Sequence, residues 1–422
     1  VTGRQAFKPR FAHFCRFYDR DNTVIDEGLV LYFPAPHSFT GEDVIEMQGH
    51  GGMILQQQLL TRVFELGANQ AVAGEFSARA FDNDKLDLVQ AEAIADAIDA
   101  TSVAAAKSAM RSLTGEFSQK INALLEQLIQ LRLYVEAAID FPDEEGVDFL
   151  ADEHIAKQLR QVCEQLNNVL ATAKQGQLLR DGVSVVIAGR PNAGKSSLLN
   201  RLAGQERAIV TDIAGTTRDI LQETIVLNGL TLNLTDTAGL RQTDDIVEQA
   251  GIERARQAIT QADLLLMVYD AHREHEPLRL ATELFGSLPN ANSILMIANK
   301  IDLSDNHQNL PKQFSSQEQI YHPVYVSCKY GTGLEELVNQ ICDKVGFHPP
   351  ENSLIARTRH LDALRRTQMA LQEADEQLHL FHAGELVAES LRQAQLSLNE
   401  ITGEFTADDL LGKIFGSFCI GK

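Results

Sequence analysis

One octapeptide constrains this chain more than any other stretch. Gly189-Arg190-Pro191-Asn192-Ala193-Gly194-Lys195-Ser196 follows the apolar run Val183–Ala188 and leads into Ser197-Leu198-Leu199. A strand, a glycine-rich loop and a helix in that order make a phosphate-binding loop. The glycines let backbone N–H groups curl around phosphate oxygens. Lys195 sets a point charge on the β- and γ-phosphates, and the Ser196 hydroxyl can ligate Mg²⁺. The alternative, a glycine-rich turn that only looks like such a loop, leaves the strand before it and the helix after it without a reason.

The surroundings agree. Short apolar runs at 183–188, 230–234, 264–269, 293–298 and 323–326 alternate with helical segments, which predicts a mostly parallel α/β sheet. Residues 220–227 and 230–234 flank Asn228-Gly229, a hairpin signal that adds one antiparallel strand. Asp236-Thr237-Ala238-Gly239 ends one strand: the acid can reach Mg²⁺ through water, and the Gly239 amide can sense a γ-phosphate. Asn299-Lys300-Ile301-Asp302 ends another. The Asp302 carboxylate accepts from guanine N1–H and N2–H₂, a donor pair that adenine lacks, so the expected nucleotide is GTP. Ser327-Cys328-Lys329 completes the base pocket through backbone amides, with a redox thiol at Cys328 as the alternative. The segment Thr211-Asp212-Ile213-Ala214-Gly215-Thr216-Thr217 lies where a switch loop belongs, and Thr217 is the residue expected to close on Mg²⁺. Together these elements resemble the TRAFAC class of G domains over residues 182–346.

Leu240 follows the third motif, where Ras-like enzymes carry a water-positioning Gln. A hydrophobic side chain cannot orient the nucleophile, so another group must. The nearby acids are Asp244, Asp245 and Glu248; Arg218 as an internal arginine finger is the other candidate.

The flanking sequence has a different texture. Residues 1–84 read as mixed strand and loop, with a strand at 24–33 closed by Pro34 and Pro36, then Gly49-His50-Gly51-Gly52 and an apolar helix at 53–66. Leu88, Ala91, Ala95 and Ile98 fall at helical spacing, as do Ile121, Leu124, Leu125, Leu128, Leu131 and Val135. Further helices are predicted at 153–174, 360–381 and 385–401. The simplest organisation is multidomain, α/β with all-α. A small α+β domain occupies 1–84. A helical domain is split into 85–181 and 347–422, and a P-loop G domain at 182–346 is inserted between its halves. Independent domains in series are the alternative.

Lys plus Arg is 37 and Asp plus Glu is 58, a formal charge of −21. That balance argues against non-specific binding to a nucleic-acid backbone. The densest basic cluster, Arg357, Arg359, Arg365 and Arg366, is expected to be a solvated helix face. The five cysteines have neither metal-ligand nor redox spacing, which suggests a reducing compartment. No segment reads as a secretory signal or a membrane span, so a cytoplasmic location is expected.

The C-terminal run from Ile401, ending Cys419-Ile420-Gly421-Lys422, narrows the class. With Gly41-Glu42-Asp43-Val44-Ile45-Glu46, the 49–52 glycines, Gly74-Glu75-Phe76-Ser77 and Asn83-Asp84-Lys85-Leu86-Asp87, it closely resembles the MnmE (TrmE) family of tRNA-modification GTPases over essentially the whole chain. The resemblance implies an N-terminal domain that dimerises and binds a tetrahydrofolate one-carbon donor, 5-formyl- or methylene-tetrahydrofolate, with Glu46, Lys85 and Lys422 as contacts. From the residues alone, Glu46 and Lys85 would be surface groups. The chain opens on Val1, and the family's first strand, with a further folate-binding Arg, is expected to lie outside it.

The resemblance also implies that Glu248 positions the attacking water. Asn192 matches a K⁺ ligand, with Thr211, Ile213 and Thr216 closing round the ion; phosphate-loop turn chemistry is its alternative. Cys419 matches a family cysteine near the active centre, either a covalent catalyst or a packed residue at a domain junction. The family works with an FAD-containing MnmG-type partner, in a heterotetramer or larger complex, on the wobble uridine of tRNAs bound largely through that partner. A ribosome-assembly GTPase would share the G motifs but needs a basic RNA-binding domain, which the charge of −21 opposes. A regulatory switch without modification chemistry is the other rival.

Overall fold

The computed structural model describes residues 1–140, 153–204, 222–236, 258–303, 310–316, 318–349, 353–381, 383–403, 414 and 416. The chain forms two compact units. One comprises Val1–Ala95, Ser112–Val162 and Arg366–Lys422, the other Asp96–Arg111 and Cys163–Arg365.

The first unit begins with β1 (His13–Tyr18), β2 (Val24–Phe33) and β3 (Val44–Gln48). They form an antiparallel sheet in the order β1-β2-β3. Alternation decides its faces: Cys15 and Phe17 of β1 are buried, while Phe14 and Arg16 on either side of Cys15 are exposed, Phe14 by 66%. Helices α1 (Met53–Glu65), α2 (Glu75–Asp82) and α3 (Leu88–Ile98) follow; further along the chain come α4 (Val103–Leu113), most of which belongs to the second unit, α5 (Glu116–Asp140) of the first unit, and α6 (Glu153–Asp181), which belongs to the second unit from Cys163 on.

On α5, the residues Ile121, Leu124, Leu128, Leu131 and Val135 repeat every three or four positions and are all buried. That stripe packs on the last helix of the chain, whose Val387, Leu391, Ala394, Leu398 and Ile401 are buried at the same spacing. Each large side chain so buried is worth roughly 1.5–3 kcal/mol.

The second unit contains β4 (Val183–Ala188), α7 (Lys195–Ala203), β5 (Gln222–Leu227), β6 (Leu230–Asp236), β7 (Leu264–Asp270), α8 (Pro277–Phe285), β8 (Ile294–Asn299), β9 (Phe314–Ser316), β10 (Gln319–Tyr321), β11 (Pro323–Tyr325) and α9 (Leu334–Val345). Its main sheet runs β11-β8-β7-β4-β6-β5, parallel except for β5 against β6. The central strands β4, β7 and β8 are near-continuous apolar runs because both faces are covered. Val185 and Ile187 point into one core with Leu198, Leu232 and Ile297; Val186 points into another with Met267, Leu280 and Met296. The β5–β6 turn places Asn228 and Gly229 at φ 51° and 86°, as a tight hairpin requires. The separate hairpin of β9 and β10 was not anticipated.

α10 (Thr358–Glu376), a short π-turn at Gln377–Phe381 and α11 (Gly384–Thr402) close the described chain. The second unit takes in helical residues beside the sheet. Thr101 Oγ1 and Thr231 Oγ1 lie 2.9 Å apart, and Ser102 Oγ donates to Gly229 O at 3.1 Å. Asp96, buried at the end of α3, accepts from Arg180 Nε and from an Arg357 terminal nitrogen, each at 2.8 Å. Arg357 is therefore an ion-pair partner with 14% side-chain exposure, which corrects its expected place on a solvated face. Arg365 and Arg366 pair with Asp362 and Glu400.

Candidate functional site

The phosphate loop joins the end of β4 to the start of α7, as its sequence requires. Asn192 has φ 62° and Gly194 φ 100°, so the loop reverses twice within three residues. A Cβ on Gly194 would sit 2.1 Å from Asn299 Nδ2, and one on Gly189 would sit 2.1 Å from Val268 O. Only glycine fits at either place.

Gly194 is the N-cap of α7 and no side chain caps the helix. The first amides of α7 thus lack an intrahelical partner and form an anion site. Lys195 Nζ donates to Gly189 O at 2.9 Å and to Arg190 O at 3.2 Å, which holds the ammonium over the loop. Ala193 is buried, and Ser196 and Ser197 are exposed in the first turn of α7. Bare amides, a cation and an exposed hydroxyl fit a phosphate chain with Mg²⁺.

The base-reading residues gather at the ends of β8 and β11. Asn299 is 2% exposed. Its Nδ2 donates to Ala193 O at 2.9 Å, and its Oδ1 accepts from Lys300 N at 2.8 Å and Cys328 N at 3.2 Å. One buried amide therefore ties the phosphate loop to both base loops. Lys300, at φ 66°, extends its Nζ to Asp270 Oδ2 at 2.8 Å. Burial raises the Asp270 pKa, but the Lys300 hydrogen bond and charge outweigh it and hold the carboxyl below its ordinary value.

Asp302 Oδ1 accepts from Ser327 Oγ at 2.6 Å, leaving Oδ2 free of a described partner to meet a base. Ser327 O in turn accepts from Gly331 N at 2.7 Å. Arg201 of α7 donates to Cys328 O at 2.9 Å and Lys329 O at 2.7 Å, so the helix that follows the phosphate loop also fixes the last base loop. Burial pushes the Cys328 thiol above its ordinary pKa, against a smaller opposing effect of Arg201. A raised thiol is a poor redox nucleophile, and the residue's bonds to the neighbouring loops run through its backbone, N to Asn299 Oδ1 and O from Arg201 Nε.

Sequence reasoning did not find Arg201 or Asp270. Arg201 lies seven residues after Gly194 on a helix of ordinary composition, and only the fold brings it beneath residues 328–329. A basic residue within reach of a loop of carbonyls was the available signal. Thr211, Asp212, Ile213, Ala214, Gly215, Thr216, Thr217, Arg218, Thr237, Ala238, Gly239, Leu240, Glu248, Cys419 and Lys422 lie outside the described residues, and of Asp236 the backbone alone is described, at the end of β6.

In the first unit, Glu46 lies exposed on the edge strand β3, opposite Leu31. Lys85, also exposed, runs its stem past Gly41, where a Cβ would be 3.3 Å from Lys85 Cγ. Asn83 Nδ2 donates to Thr40 O at 2.9 Å, so the 40–42 turn and the 83–85 turn are bound together.

The parallel sheet, the phosphate loop at its central strand and the base loops at neighbouring strand ends define a P-loop G domain. A family model for the MnmE helical domain matches residues 88–419, and one for the GTP-binding protein TrmE N-terminus matches residues 1–85. Over its full length the chain is 74% identical to a tRNA modification GTPase MnmE of Psychrobacter arcticus, covering 90% of that protein. It is 63% identical to that of Acinetobacter baylyi and 55% identical to that of Pseudomonas aeruginosa, covering 90% and 92% of them. The chain belongs to the MnmE family of tRNA modification GTPases.

Proposed function

We propose that the chain is a K⁺-stimulated GTP hydrolase that works with an FAD-containing MnmG-type partner. Together they add a carboxymethylaminomethyl or aminomethyl group to the wobble uridine of certain tRNAs, with the carbon drawn from a tetrahydrofolate. The observation that carries the nucleotide part is the Asn299 clamp, which sets the phosphate loop and base loops at one site. Lys195, Ser196 and the first amides of α7 hold the phosphates and Mg²⁺, Asp302 reads guanine, and Thr217 completes the Mg²⁺ shell.

Asn192 offers its side chain to K⁺ from a left-handed turn, with Thr211, Ile213 and Thr216 as the other ligands. A cation there supplies the charge an arginine finger gives elsewhere, and Glu248 orients water in place of the Gln that Leu240 replaces. Glu46, Lys85 and Lys422 hold the folate, whose carboxylates suit lysines and whose pterin N–H groups suit a carboxylate. Cys419 stands near the modification chemistry.

The chain acts as a homodimer. Helix α1 supports this: none of its residues is buried, and Met53, Ile54 and Leu60 are 80%, 65% and 54% exposed, apolar side chains available to a partner surface. Among the described residues no helix is long and apolar enough to cross a membrane, and the reading places the protein in the cytoplasm.

The test is complementation. In cells lacking the family gene, the wild-type chain restores the modified wobble uridine, seen by mass spectrometry of tRNA nucleosides, and Lys195→Ala does not. Failure of the wild type to restore it overturns the reading.

A further inference from the structure

The loop between β3 and α1 carries an arrangement that the nucleotide chemistry does not use. Asp26 of β2 has 7% side-chain exposure. It accepts from Glu27 N at 2.8 Å, from His50 N at 2.8 Å and, through Oδ1, from His50 Nδ1 at 2.7 Å. A buried carboxylate satisfied in this way is a fixed anion that pins both the backbone and the ring of His50. With Nδ1 engaged as a donor to Asp26, the functional nitrogen is Nε2. The side chain is 72% exposed, and among the described residues Nε2 has no hydrogen-bond partner.

The neighbouring glycines have two different reasons. A Cβ on Gly49 would lie 2.4 Å from Asp26 Oδ2 and 3.5 Å from the Phe17 ring, so the Asp26–His50 geometry excludes any side chain there. A Cβ on Gly51 would meet nothing within 4 Å, and one on Gly52 only Leu55, at 3.8 Å. Neither residue has a positive φ. Gly52 is also the N-cap of α1, where Gly is tolerated but Asn, Asp or Ser ranks above it. Packing and backbone therefore do not call for glycine at 51 or 52. Close approach of a ligand to bare backbone does. Glu46 is exposed on β3, the strand that leads into this loop, four residues before His50.

We propose that His50 is a ligand-contacting residue of the folate site, presenting Nε2 to a polar group of the bound reduced folate while Asp26 fixes the ring. This rests on the folate reading above and adds to it an oriented imidazole beside the carboxylate of Glu46. The charged groups facing the imidazole are Asp26 and Glu27, the latter paired with Arg16 of β1 at 3.6 Å; the first turn of α1 has no acid. The Asp26 hydrogen bond and charge keep His50 protonated to higher pH than usual, against a smaller effect of burial.

The test uses purified full-length protein with ¹⁵N-labelled histidine and 5-formyltetrahydrofolate as the probe. Titration is expected to move the His50 Nε2 resonance. His50→Gln should keep the fold, with only the fall in melting temperature that loss of the Asp26 pair brings, and weaken folate binding by about tenfold or more. Gly51→Ala should keep the melting temperature and also weaken binding, which a merely structural loop would not do. If the wild type binds the folate while the His50 resonance stays still and both variants bind as tightly as wild type, the proposal is wrong and the folate reading stands. If the wild type does not bind, the folate reading fails and this proposal with it.

Discussion

Asn299 Nδ2 donates to Ala193 O across 2.9 Å, so a base-loop residue holds the phosphate loop in shape. Asn299→Ala leaves the Ala193 carbonyl and the Cys328 N–H buried without that partner, at about 1–3 kcal/mol each. The expected result is a loss of GTP affinity of at least about tenfold, measured with a fluorescent GTP analogue, with the fold retained by circular dichroism. Gly194→Ala should be at least as harmful, because its Cβ would meet the same amide at 2.1 Å.

Ser327 fixes one oxygen of Asp302 at 2.6 Å, which aims the other at the base. Asp302→Asn replaces an acceptor pair with one acceptor and one donor, the complement of xanthine rather than guanine. GTP turnover should fall by about 10²-fold or more, since a site built to bind a donor rejects a base that mismatches it. XTP turnover should appear, and a variant that still prefers GTP would contradict the assigned role.

Asp96 holds Arg180 and Arg357 together at 2.8 Å each. Asp96→Ala leaves Arg357, at 14% side-chain exposure, without that partner. Removing one member of a buried pair costs about 3–5 kcal/mol. Arg180 is more exposed, so a loss near the lower end, about 3 kcal/mol, is expected in urea unfolding.

The Asp26–His50 pair makes stability depend on pH in both directions. The His50 pKa is raised by the Asp26 hydrogen bond above its ordinary 6.5, so its contribution is full below 6.5 and is lost as pH rises through the raised value. The Asp26 pKa is lowered, first by the His50 hydrogen bond, below its ordinary 3.8; its contribution is full above 3.8 and is lost as pH falls through the lowered value. The difference in melting temperature between wild type and Asp26→Asn should therefore be largest between 3.8 and 6.5 and shrink on either side.

The G domain was legible because its signals are local. Strand runs such as Val183–Ala188 are continuous and apolar, and Asn228-Gly229 needs no partner elsewhere to be read as a turn. Long-range side-chain bonds leave no such trace: Asp96 and Arg357 are 261 residues apart, and Asn299 and Ala193 are 106 apart. Helix α6 was expected to stop at 174 and continues to Asp181. Gly176, which resembles a helix terminator, lies inside the helix because a Cβ there would meet Leu354 O at 1.8 Å. The three-residue strands β9 and β10 are too short to show a period. Of the candidate site, the phosphate and guanine residues could be proposed from residue chemistry, whereas Glu46 and Lys85 look like ordinary surface charge, and the folate role proposed for them rests on the family resemblance alone.

GTP hydrolysis by the purified chain, measured in K⁺ and in Na⁺ at equal ionic strength, tests the proposed catalytic device most directly. A cation held at Asn192 beside the phosphates predicts turnover about tenfold or more faster in K⁺, and loss of that preference in Asn192→Ala. Equal, slow rates in both salts would contradict it and shift the catalytic charge to Arg218 or to an external activator.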